Sequence, residues 1–170
     1  MIIDKALWHV NPAPQRARYN ARFAKHKEIH LSRVINPDGV GKERKRLVRA
    51  SVLALRELLN PEATSEQRRD LAAFLSLSLA EIADTVERTV GPWEKRGYWL
   101  KADRFRLDWD WAGQLSPMLR AALEADDWGE LALLSAQIGE KLSGEKVPQR
   151  HRLGTPWVGA WEKLQAMEQD

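Results

Sequence analysis

The clearest folding signal lies in residues 64–92, which read TSEQRRDLAAFLSLSLAEIADTVERTVGP. Thr64 and Gln67 have the spacing at which each side chain accepts a hydrogen bond from the other's backbone N–H at a helix start. Apolar side chains then recur every three or four residues, and this spacing predicts a buried stripe along a helix. Because Phe74 and Leu77 widen the stripe, we expect this helix to be central and Phe74 to be nearly fully buried. The stripe itself consists of Leu71, Leu75, Leu79, Ile82, Val86 and Val90.

Apolar residues also recur at helical spacing before and after this segment. No part of the chain shows an alternating apolar and polar pattern long enough to predict a sheet. Proline and glycine clusters at residues 11–14, 36–39, 60–61 and 91–92 predict breaks between helices. The expected helices cover residues 15–28, 41–59, 64–90, 93–113 and 117–125, then a segment opened by Asp127 and Glu130, then a short last helix with Trp157, Trp161 and Leu164. Residues 30–35 and 146–156 are expected to be connectors. The sequence therefore predicts an all-α, single-domain bundle of five to seven helices, with irregular N-terminal and near-C-terminal connectors.

Composition excludes several classes of protein. The chain has 170 residues and no cysteine, so disulfide frameworks, thiol nucleophiles and cysteine-bound metals are ruled out. The uncharged run from Leu71 to Ala80 is ten residues long, about half of what crosses a bilayer. The first residues lack the apolar core of a signal peptide. We therefore expect a cytoplasmic protein with no membrane partner.

Charge is distributed unevenly along the chain. Residues 1–50 hold twelve basic and four acidic side chains, whereas the remaining 120 residues hold 15 basic and 20 acidic ones. Such asymmetry is typical of a polyanion-binding end, although two solvated faces of one bundle would also produce it. The basic residues fall on two predicted helices, at spacings that group them on helix faces. The candidate nucleic-acid-binding residues are Arg16, Arg18, Arg22, Lys25, Lys42, Lys45, Arg46 and Arg49.

Residues 93–111 form a second unusual stretch, which we call the Trp-rich segment. It carries four of the eight tryptophans, interleaved with basic and acidic side chains. Three interpretations stay open: the aromatic residues pack against the terminal segments, stack on nucleobases, or form a contact surface for another protein chain. Leu100, Leu107 and Trp111 share one helix face with Arg104. The candidates for stacking or partner contact are Trp99, Phe105 and Trp109 with Arg96, Lys101 and Arg106.

Catalytic and metal-binding patterns are sparse. His26 and His30 share a helix face, but their surroundings are basic and no third ligand lies close in sequence, so we predict no metal site. Asp108 and Asp110 point to different sides of a helix, and Ser76 lacks the turn that exposes a nucleophilic serine. We therefore predict no catalytic residues and no cofactor, while an enzyme with an unrecognised site stays an alternative.

The size of the chain, its predicted all-α fold class and its charge distribution together favour a non-catalytic accessory subunit of a nucleoprotein assembly. In these three respects the chain is similar to the small helical subunits of CRISPR effector complexes, a likeness that extends to no particular residue. It implies binding to DNA or RNA without sequence specificity, together with other protein subunits. The alternative is a protein–protein adaptor that uses the Trp-rich segment.

Overall fold

A computed structural model describes the backbone of residues 37–169 and the side chains of residues 39–167. Residues 37–169 contain helices and no β-strand. Five helices hold more than half of the 170 residues, so the all-α prediction is confirmed. The helix predicted for residues 15–28, the break at 11–14 and the connector at 30–35 lie outside the described residues. The helices are α1 (Pro37–Leu58), α2 (Ser65–Glu94), α3 (Trp99–Glu124), α4 (Trp128–Lys141) and α5 (Ala160–Gln169).

Helix α2 is the centre of the bundle, as its sequence predicts. Helices α1, α3 and α5 all pack against it, and α4 packs against α3. The capping box at its start is confirmed: the Gln67 backbone N–H donates to Thr64 Oγ1 over 3.2 Å, and the Thr64 backbone N–H donates to Gln67 Oε1 over 2.9 Å. These two bonds satisfy donors that the first helical turn leaves unpaired.

The predicted apolar stripe of α2 forms the core. Leu71, Leu75, Leu79, Ile82, Val86 and Val90 are all buried, with at most 4 % of any of them exposed. Phe74, which we expected to be nearly fully buried, is half-buried, and its ring meets Trp157 edge-on with centroids 6.3 Å apart. A second, smaller cluster joins Val86 and Val90 to Ala102 at the end of α2 that adjoins the start of α3.

Serine side chains lie where α2 crosses its neighbours. Ser76 Oγ donates to the Ser116 carbonyl over 3.0 Å, and Ser116 Oγ donates back to the Ser76 carbonyl over 2.9 Å. Ser51 and Ser78 hydroxyls lie 2.9 Å apart between α1 and α2. Since all four serines are buried, these bonds satisfy polar atoms that would otherwise be costly to remove from water.

Helix boundaries next to proline differ from the prediction. The sequence predicts a turn at residues 36–39, but residues 37–39 belong to α1, which begins at Pro37. Proline suits a first helical turn, where its missing N–H would have had no partner. Gly91-Pro92 does not end α2, which continues through Pro92 to Glu94. Leu59, the last residue of the helix predicted for residues 41–59, follows the helix end and is exposed.

The Trp-rich segment is divided between two helices. Helix α2 ends at Glu94, and Gly97 turns the chain with a φ of 80°, a backbone conformation that glycine adopts without strain. Helix α3 then runs without a break through Pro117, so the separate helix predicted for residues 117–125, with Ser116 as its cap, is wrong. The reciprocal bonds between Ser76 and Ser116 hold α3 to α2 at the point where proline removes a backbone donor.

The last two helices agree with the sequence pattern. Asp127 caps α4 by accepting a hydrogen bond from the Glu130 backbone N–H over 2.9 Å. Residues 146–156 are irregular, as predicted. Trp157 lies just before α5 rather than inside it. The predicted apolar stripes are buried at Leu131, Leu134, Ile138, Leu142 and Leu164.

Replacing Asp70 with alanine should loosen the attachment of α5. The two Asp70 carboxylate oxygens accept hydrogen bonds from the backbone N–H groups of Gly159 and Trp161, both over 2.9 Å. We expect Asp70→Ala to lower the free energy of unfolding by about 1–2 kcal/mol in urea denaturation, as for a lost helix cap. Asp70→Asn keeps one acceptor oxygen and should lose less. Equal stability of Asp70→Ala and the unchanged protein would mean that water replaces these bonds.

Candidate nucleic-acid interface

Four of the predicted basic residues form one stripe on the first half of α1, which we call the basic stripe: Lys42, Lys45, Arg46 and Arg49. Their spacing of three and four residues places them within about 100° of one another around the helix. The two lysines and Arg46 are exposed, and Arg49 is half-buried. None of the four forms a salt bridge with a carboxylate among the described residues.

The acidic residue within this stretch does not offset the stripe. Glu43 lies on another side of α1 and binds Arg88 of α2, with Oε2 and Nη2 2.9 Å apart. The hydrogen bond to Glu43 raises the pKa of Arg88. Because this carboxylate is already paired, no carboxylate among the described side chains of α1 neutralises the positive charge of the stripe.

Arg44 differs from the basic residues around it. It is half-buried and extends toward α3, where its guanidinium carbon lies 4.7 Å from the Phe105 ring centroid and 5.4 Å from that of Trp109. Its Nη1 also donates to Thr89 Oγ1 over 3.1 Å. Burial lowers the pKa of Arg44. Arg44 therefore connects α1 to α3 and is not part of the solvent-facing stripe.

The predictions made from the sequence do not include the structural role of Arg44. The signal was present in the spacing: Arg44 lies four residues from both Val40 and Val48, which are buried. Residues at that spacing share a helix face, so Arg44 belongs to the buried side. Phe105 and Trp109 could not have been recognised as its partners, because they lie far along the sequence on a different helix.

Arg16, Arg18, Arg22 and Lys25 lie outside the described residues. Their inclusion in one surface with the basic stripe stays a prediction.

The candidates of the Trp-rich segment divide into exposed and packed residues. Trp99 is 60 % exposed, and Arg96 and Lys101 are exposed beside it. Phe105 and Trp109 are half-buried; Phe105 meets Trp93 edge-on at 5.3 Å. The aromatic residues thus pack largely among themselves, with Trp109 stacked on Trp111 at 6.1 Å.

Arg106 is held inside a set of carboxylates. It binds Glu87 with both Nε and Nη2, over 2.9 and 3.0 Å, and also binds Glu94. These hydrogen bonds, above all those to Glu87, raise the pKa of Arg106. A guanidinium in this arrangement has no free donor fork for a phosphate, so Trp99, Arg96 and Lys101 are the candidates of this segment that stay accessible.

A shallow groove of about 550 Å³ lies where α2 turns into α3. Trp93 and Phe105 are among its apolar lining residues, and Trp99, Lys101 and Arg104 contribute its aromatic and basic side chains. The Lys101 ammonium nitrogen lies 4.1 Å from the centroid of the Trp93 ring, a cation–π distance. The groove therefore combines aromatic side chains with cations beside them.

Residues 37–169 contain no group of three or more His, Cys, Asp or Glu side chains that could hold a metal ion. None of the helices described is both long and apolar enough to cross a membrane. Comparison of the chain with protein-family models, curated proteins and solved structures finds no match. Function is therefore inferred from the arrangement of side chains alone.

Proposed function

We propose that this protein is a non-catalytic accessory subunit that binds nucleic-acid phosphates through the basic stripe, within a larger cytoplasmic nucleoprotein assembly. The observation that supports the proposal is the set of four cations on one side of α1 with no carboxylate partner among the described residues. Cations of this kind are costly to gather on one helix face, because like charges repel. Phosphates would relieve that repulsion.

The length of the stripe suits a short run of phosphates. Lys42 and Arg49 are seven residues apart, or about 10 Å along the helix axis. Successive nucleotides of one strand rise by ~3.4 Å along the axis of a duplex, so a stripe parallel to that axis spans about three phosphates. Contacts of this kind position the nucleic acid without reading its sequence.

Binding should depend steeply on salt if the proposal is correct. Release of counterions from about three phosphates predicts a slope of log affinity against log salt of roughly −2 to −3. We would titrate labelled single-stranded and duplex DNA and RNA of unrelated sequences between about 25 and 200 mM salt. Similar slopes across sequences would support the proposal. Absence of binding at the lowest salt, or binding that ignores salt, would overturn it.

Trp99 gives the same protein a second point of contact with unpaired bases. Its exposed ring lines the groove together with Lys101, and stacking of a base on an aromatic ring contributes about 1–3 kcal/mol. A larger affinity for single strands than for duplexes of the same length would support this part of the proposal.

A role in protein contact is the second candidate function. It is favoured by the exposure of large apolar side chains, above all Leu100 and Leu107, on the outer face of α3. Exposed apolar side chains that adjoin one another mark interaction surfaces more often than scattered ones do.

A further inference from the structure

The outer face of α3 has the residue spacing of a coiled-coil seam. Six positions separated alternately by four and three residues follow one another along it, the repeat at which two helices pack side by side. Leu100 is 67 % exposed, Leu107 is 75 % exposed and Met118 is 45 % exposed. Four of the six side chains are apolar, although the face points to solvent. We call this row the α3 seam: Leu100, Arg104, Leu107, Trp111, Gln114 and Met118.

This face is distinct from the one that α3 buries in the bundle. The inner face contacts α2 and α4 through small and branched side chains such as Ala102, Ala112 and Leu119, which are fully buried. Five of the six seam residues are exposed, whereas Trp111 is half-buried and packs in part against the main hydrophobic cluster. Two apolar faces on one helix indicate two neighbours, and the described part of the bundle supplies the inner one only.

We propose that the α3 seam pairs with the same seam of a second copy of this chain, with the two helices antiparallel. In that register Leu100 faces Met118 of the second copy, Leu107 faces Trp111, and Arg104 faces Gln114. Every apolar position then meets an apolar position and every polar position meets a polar one. A parallel pair would instead place Arg104 against Arg104, and like charges in a helix seam are unfavourable.

The extent of the seam is sufficient for a weak or moderate dimer. Its ends are eighteen residues apart, or about 27 Å of helix. Pairing two such faces removes on the order of 1,000 Å² from water, near the lower limit of specific interfaces. Asp108 and Asp110 flank the centre of the seam and would lie close to the same two carboxylates of the second copy. Their repulsion limits the affinity, so Asp108→Asn should tighten the dimer.

The first test compares two exposed leucines by sedimentation analysis over a range of concentrations. We expect the unchanged chain to be a dimer that dissociates on dilution, and Leu107→Glu to be monomeric at the highest concentration tested. Leu133→Glu is the matched control, because Leu133 of α4 is 63 % exposed and lies off the seam; it should dimerise normally. A monomeric unchanged chain, a dimeric Leu107→Glu variant or a monomeric Leu133→Glu variant would overturn the proposal.

The second test fixes the direction of the pair. Since the chain has no cysteine, each variant carries a single thiol for a short bis-maleimide cross-linker. Asp108→Cys should cross-link with itself, because position 108 lies beside the two-fold axis. Leu100→Cys should not, because its two copies would be about 27 Å apart, whereas a mixture of Leu100→Cys and Met118→Cys should. Self-linking of Leu100→Cys without self-linking of Asp108→Cys would show a parallel pair and refute the antiparallel register. The dimer does not depend on phosphate binding by the basic stripe, which lies on α1.

Discussion

Leu79→Ala is expected to lower the free energy of unfolding by about 3 kcal/mol, within the range of roughly 2–5 kcal/mol for a leucine truncated in a close-packed core. Leu79 is fully buried in the central helix α2 and belongs to the main hydrophobic cluster. The neighbouring helices are held by that same cluster, so the cavity left by the side chain has little room to collapse. Urea denaturation followed by circular dichroism measures the loss.

A surface leucine gives the comparison for this measurement. Leu133→Ala removes the same atoms from an exposed position of α4 and should change the free energy of unfolding by less than about 0.5 kcal/mol. If Leu79→Ala lost less than about 1 kcal/mol, α2 would not be the helix on which the bundle depends.

Replacing all four residues of the basic stripe with glutamine is expected to weaken binding to DNA and RNA by about 100-fold at low salt. Each substitution removes a charge-assisted hydrogen bond to a phosphate. The counterion of that phosphate then stays bound, so the favourable free energy of its release is lost as well. The slope of log affinity against log salt should flatten by about one unit for each phosphate that the variant no longer binds. The effect should be the same for unrelated sequences, because side chains that bind phosphates do not distinguish bases.

A control variant with the same net charge shows whether affinity depends on the position of these four cations or only on the number of cations in the chain. Lys141, Lys146, Arg150 and Arg152 are exposed at the other end of the described chain, and they are also two lysines and two arginines. Replacing them with glutamine changes the net charge from +3 to −1, as in the stripe variant. Equal losses of affinity in the two variants would show that net charge, and not the basic stripe, governs binding. Both variants should unfold within about 0.5 kcal/mol of the unchanged chain.

Signals that act within one helical turn could be read from the sequence. The capping pair Thr64 and Gln67 and the cap Asp127 involve residues three apart, so no other part of the fold decides them. The buried apolar stripe of α2 could also be predicted from the sequence, because it is wide and unbroken. Pro92 and Pro117 were misleading, since contacts with a neighbouring helix, which lie far away in sequence, hold the backbone helical on both sides of them.

For the candidate site, the sequence predicts correctly those residues whose solvent exposure follows from their spacing along the helix alone. Lys42, Lys45 and Arg46 lie opposite a clear apolar stripe, and solvent exposure follows. For α3 the same reasoning fails, because the helix has two apolar faces. Leucines lie on both faces: Leu100 and Leu107 are on the outer one, and Leu119 is on the inner one together with alanines such as Ala112. Spacing alone does not distinguish them.

The buried serine pairs fix how the helices are aligned lengthwise. An apolar interface between two helices tolerates a slip of one turn, because one leucine can replace another in the same gap. A slip of α2 against α3 would separate Ser76 from Ser116 and take from each buried hydroxyl the carbonyl that it donates to. A slip against α1 would separate Ser78 from Ser51 in the same way. The hydroxyls thus select one alignment of three helices from several that apolar packing alone would accept.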